Sequence, residues 1–130
     1  MAKHATRPTD AELEILTVMW EAGPGTVRQI HQALVARRPD RATSYNTTLK
    51  LLQIMHTKGM VDRDTCQRPQ VYRPVVAESR MQQRLVDDLL RRAFGGSARK
   101  LAAALTAADI SDEGLAEIRR LLAKSREEKP

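Results

Sequence analysis

Asn46, Leu49, Lys50 and Gln53 fall at spacings of three, one and three, which places them on one side of any helix that contains them. The two amides can each donate and accept toward a base edge, the ammonium can reach an acceptor or a phosphate, and the Leu49 side chain can lie against a thymine methyl. A side opposite a buried stripe is usually charged and solvated, whereas this one carries short amide and hydroxyl groups, a single Lys and the apolar Leu49. An ordinary solvated face is the bland alternative. Downstream, Arg63, Arg68 and Arg73 flank a polar loop and can reach backbone phosphates, which would fix a docking register without reading sequence. Their bland alternative is a small hairpin that only covers the edge of a helical core.

Other chemistries find little to work with. His4, His31 and His56 have no metal-ligand spacing, and Cys66 is the one cysteine, so no intrachain disulfide or thiolate cluster can form. No histidine, acid and nucleophile set recurs at a spacing that suggests a single site. Gly23-Pro24-Gly25 is a turn and not a phosphate-cradling loop. No metal, no cofactor and no enzymatic activity are expected.

The candidate residues need a scaffold, and the sequence punctuates one clearly. Thr9-Asp10-Ala11-Glu12 is a capping box, followed by Leu13, Leu16, Met19 and Trp20 at helical spacing until Ala22-Gly23-Pro24-Gly25. Thr26-Val27-Arg28-Gln29 is a second box, opening a helix with Val27, Ile30 and Leu34 on one face and Arg28, Gln32, Arg37 and Arg38 mostly on another. A third helix begins near Thr43 or Ser44, either of which can cap it. It carries Thr48, Leu51, Leu52 and Met55 opposite the polar face and stops at Lys58-Gly59. Two β-like runs follow, Met60 to Arg63 and Val71 to Val75, around the polar loop Asp64 to Gln70. Helix, helix, polar-faced helix and hairpin is the order of a winged helix-turn-helix with a small β wing.

Beyond Ala77 the pattern is helical throughout. One helix covers Glu78 to Phe94, an Ala-rich one covers Ala98 to Ala108, and a third follows the cap Ser111 to about Lys124, with a fraying tail from Ser125 to Pro130. Their stripes are Met81, Leu85, Leu89 and Phe94, then Leu101 and Leu105, then Leu115, Ile118, Leu121 and Leu122. Three such helices make a marginal core that self-association would complete. The alternative is one continuous domain whose last helices pack back on the first three. The expected division is therefore a winged-helix DNA-binding domain at 9–76 and a helical dimerisation domain at 77–125, in a mainly α fold.

Composition agrees. Of 130 residues 42% are apolar, yet only one Trp, two Tyr and one Phe occur, which suits helices packed by Leu, Ala, Val and Met. The formal charge is +6, and 1–75 hold 11 basic against 7 acidic residues, a bias suited to a polyanion partner. No apolar run is long enough to span a bilayer and no signal segment opens the chain, so the expectation is a cytoplasmic protein with no direct membrane binding.

The ordered segments LTVMWEAGPGTVRQIHQAL (16–34), SYNTTLKLLQIMHTKGMVDRD (44–64), QVYRPVV (70–76) and ISDEGLAEIRRLL (110–122) resemble the BlaI/MecI family of penicillinase-repressor regulators over about 9–124. The resemblance implies a homodimeric repressor that binds palindromic double-stranded DNA operators, with its recognition helix at Ser44 to His56. The expected contact set is Ser44, Tyr45, Asn46, Thr47, Leu49 and Lys50 on that helix and Arg63, Arg68 and Arg73 on the wing. Family members commonly have a basic residue where this chain has Leu49 and an Arg where it has Ile54, departures that bear on the operator sequence. The resemblance also implies a membrane-bound sensor metalloprotease as a partner, which in penicillinase-type members cuts an Asn-Phe pair. The matching region here is near Ala103-Ala104 and has no such pair. Copper-responsive members carry a C-terminal cysteine cluster that is missing here. The competing reading, a winged-helix platform for protein partners, draws on the lost basic character at Leu49 and Ile54.

Overall fold

The computed structural model describes residues 7–41 and 43–128. In chain order the elements are α1 (Asp10–Ala22), α2 (Val27–Arg37), α3 (Tyr45–Lys58), β1 (Val61–Asp64), β2 (Val71–Pro74), α4 (Glu78–Phe94), α5 (Ala98–Ala107) and α6 (Asp112–Glu128). The fold is mainly helical with one small antiparallel wing, as the sequence predicts.

Local chemistry sets the helix limits. The Thr9 hydroxyl accepts the Glu12 amide at 3.2 Å, and Glu12 Oε1 accepts the Thr9 amide at 2.9 Å. Thr26 and Gln29 repeat the exchange at 3.2 and 2.9 Å. For α3 the cap is Ser44, whose hydroxyl accepts the Thr47 amide at 3.1 Å. Its other end closes with Gly59 at φ 83°, where the Gly59 amide donates to the His56 carbonyl and the Met60 amide to that of Met55. This pair of bonds satisfies carbonyls that would otherwise be orphaned, and the left-handed residue it needs is easiest for glycine.

The first three helices pack around Ile15, Leu16, Val18 and Met19 of α1, Ile30 and Leu34 of α2, and Leu52 and Met55 of α3. Full burial of each such side chain contributes about 1.5–3 kcal/mol. Met60, Val61 and Tyr72 close the core from the wing side. The wing pairs Val61 with Pro74, Asp62 with Arg73, Arg63 with Tyr72 and Asp64 with Val71. Gly25 adds a bridge, its amide and carbonyl bonding Tyr72 at 3.1 and 2.8 Å, so the turn between α1 and α2 is fastened to β2. The Trp20 indole N–H donates to the Val76 carbonyl at 3.1 Å and fastens the chain leaving the wing.

The chain divides into two compact units, Met1–Leu85 and Val86–Pro130, with the boundary inside α4. Met81 and Leu85 were expected among the dimerisation residues, but both pack on the core of the first unit, and Met81 is only 5% exposed. Met81 therefore has no surface to offer a second copy. In the second unit no described side chain from Val86 to Ser125 is fully buried. Phe94, Leu101, Leu105, Leu115 and Ile118 are half-buried, whereas Leu89, Leu121 and Leu122 stand in solvent. Helix α6 runs on to Glu128 instead of fraying at Ser125. Ala123, Lys124, Arg126, Glu127 and Glu128 are good helix formers, and no Gly or Pro interrupts them. Among the described residues no helix is long and apolar enough to cross a membrane.

Candidate nucleic-acid interface

Helix α3 turns Thr48, Leu52 and Met55 inward and leaves Asn46, Thr47, Lys50 and Gln53 exposed, with Leu49 half-buried beside them. The inner face is pinned by polar bonds as well as packing. Thr48 is fully buried, yet its hydroxyl shares a 2.9 Å hydrogen bond with His31 Nδ1 of α2. His31 also meets the Tyr45 ring edge-on at 5.8 Å between centroids. The first turn of α3 is thereby held against α2, with Tyr45 42% exposed. Ser44, expected among the contact residues, spends its hydroxyl on the cap and lies 2.9 Å from the Thr47 hydroxyl.

The far end of α3 is anchored by a pair the sequence reading missed. Lys58 Nζ donates to Glu12 Oε2 at 2.9 Å, and Glu12 is 2% exposed. Burial alone would raise the Glu12 carboxyl, but the Lys58 ammonium and the Thr9 amide together hold it below its ordinary value. Helix α3 is thus clamped at both ends, by α2 at its start and by α1 at its finish.

The three wing arginines do not converge. Residues paired across an antiparallel ladder share a face, so Arg63 lies on the side of the buried Tyr72, and Arg73 lies on the other side beside Asp62. Arg68 is exposed in the loop between the strands. That loop is ordered by Asp64, which accepts from Gln67 Nε2 at 3.0 Å and from the Cys66 amide at 2.9 Å. These bonds, Gln67 first, lower the Asp64 carboxyl from its ordinary value.

Charge is partitioned. Arg37 pairs with Glu21 at 2.9 Å, and Arg38 and Arg41 pair with Glu14 at 3.0 and 3.7 Å, so the cations at the end of α2 are matched by acids of α1. Among the described residues no carboxylate pairs with Arg28, Lys50, Arg63 or Arg68. Of these, Lys50 stands on the outer face of α3, and Arg28 and Arg63 line a cleft beside it. Sequence reasoning passed over Arg28, which stands at the first turn of α2 and lines a cleft with Tyr45, Leu49, Gln53, Arg63 and Gln70. Its position on the polar side of α2 was the only signal available.

No group of His, Cys, Asp or Glu side chains among the described residues is arranged to hold a metal ion. The whole length from cap to second unit matches a known pattern: the penicillinase repressor family model fits residues 8–124. The chain belongs to the penicillinase repressor family. It is 34% identical over 103 residues to the "Transcriptional regulator BlaI" of two Mycobacterium tuberculosis strains, CDC 1551 / Oshkosh and ATCC 25618 / H37Rv. The match covers 78% of this chain and 72% of each relative. By its family the chain is a transcriptional repressor.

Proposed function

We propose that the chain represses transcription as a homodimer on palindromic DNA operators, laying α3 in the major groove and its wing along the flanking backbone. The observation that carries this reading is the outer face of α3, where amide and hydroxyl groups stand beside Lys50 and, among the described residues, no carboxylate pairs with Lys50, Arg28 or Arg63. Amides give base discrimination and unpaired cations give phosphate affinity, the two components a specific reader needs. A protein-binding platform has less need of bare cations. Two half-sites supply the specificity one helix lacks, and the solvated Leu89, Leu121 and Leu122 are the surface on which two copies would meet.

Relief of repression by a sensor metalloprotease would require a cut near Ala103-Ala104. Those residues are exposed in the middle of α5, and a protease that takes extended substrate has first to open that helix. The DNA reading is tested by selecting duplexes from a random library with the full-length protein. An enriched palindrome is expected; a pool that stays random after repeated rounds would overturn it.

A further inference from the structure

The cleft beside α3 has a volume of about 470 Å³ and three walls. The start of α2 supplies Thr26, Val27 and Arg28, the outer side of α3 supplies Tyr45, Leu49 and Gln53, and the base of the wing supplies Arg63, Gln70 and Tyr72. Its lining is mixed, with apolar Val27 and Leu49 beside two guanidinium groups and two amides. Arg28 and Arg63 come from different elements, and neither has a carboxylate partner among the described residues.

A recognition helix in the major groove and a wing at the flanking backbone leave one strand of the duplex to cross between them. The space between α3 and the wing is this cleft. We propose that it seats that sugar–phosphate strand, and that Arg28, which lines the cleft together with Arg63, is a phosphate-binding residue of the interface. The inference rests on the DNA-binding reading above. Three observations converge on a nucleic-acid backbone as the occupant. The two arginines are five-donor groups suited to phosphate oxygens. The Thr26 hydroxyl already takes the Gln29 amide, which leaves the Val27 and Arg28 amides at the start of α2 without intrahelical acceptors, and the positive end of the helix dipole favours an anion. Val27 and Leu49 offer apolar surface to the carbon face of deoxyribose. The side chain of Arg28 is exposed, so removing it leaves the core intact.

The experiment uses the full-length protein and its selected operator, with each phosphate of one half-site replaced in turn by an uncharged methylphosphonate. Wild-type protein should lose affinity at one or two phosphates of the strand that separates the two grooves. Arg28→Ala should bind every duplex roughly tenfold more weakly, keep the same base preference, and lower the log–log salt slope by about one. It should also become indifferent to the methylphosphonate that Arg28 had sensed, an outcome that a structural role would not produce. Arg28→Lys should restore most of the salt slope. An Arg28→Ala protein that binds as tightly as wild type, or that stays sensitive at every position, overturns the assignment while leaving the DNA reading standing. Wild-type protein with no salt-dependent affinity for any duplex overturns both.

Discussion

Glu12 shows how one side chain can be read correctly and still be half understood. Its spacing from Thr9 declares a capping box, and the box is there. Its second oxygen is bonded to Lys58, 46 residues away in sequence, and no local pattern announces that. A buried carboxylate that loses its ammonium keeps its desolvation cost and loses its compensation. Replacing Lys58 with Met, which keeps the apolar stem, should therefore cost about 1–3 kcal/mol, moderated because Lys58 is 32% exposed. The sign of the pH dependence follows from the lowered Glu12 value. The stabilisation is complete above the ordinary carboxylate range and is lost as pH falls through that range toward the depressed native value. Urea unfolding from neutral to acid pH should show this decline in wild-type protein and a smaller one in Lys58→Met. Identical profiles would mean that the pair contributes nothing.

Elements were the most legible scale, because their signals are local. Thr9, Thr26 and Ser44 act as caps where their side chains are read as caps, and Gly59 closes α3 in the left-handed conformation its position suggests. The two faces of α3 follow from a spacing of three and four. Tertiary choices were harder to see. Arg28 looked like one more polar residue on α2, and only the folded wing gives it a cleft to face. The wing arginines looked like one set, and the register of four paired residues separates Arg63 from Arg73. Arg68 is exposed in the loop ordered by Asp64, and its proposed role is a contact to phosphate alone. Its replacement by Ala should weaken binding to operator and random duplex alike and flatten the salt dependence. Titrations on both duplexes at several salt concentrations check this, and a change confined to base preference would remove Arg68 from that role.

At the scale of the molecule, the two units differ in how completely they bury their apolar residues. The first closes a core from three helices, the wing and the opening turns of α4. The apolar stripe of α4 reads as continuous in sequence, and periodicity cannot tell which turns face which neighbour, so it places Met81 and Leu85 in one set with Leu89. The second unit leaves Val86, Leu89, Leu121 and Leu122 about half exposed or more. A second copy covering them is the proposed remedy, and charges there should oppose it. Leu121→Glu with Leu122→Glu should shift the protein toward monomer and weaken operator binding. Sedimentation decides the matter, since wild-type protein already monomeric at micromolar concentration would exclude the dimer.

The proposed reading of an operator rests on the outer face of α3, where Lys50 is the exposed cation. Binding of Lys50→Glu protein to the selected duplex, measured beside its sedimentation, tests that placement most directly. Loss of specific binding with an unchanged oligomeric state is the predicted result. Undiminished affinity would contradict the assignment of α3 as the helix that reads the operator.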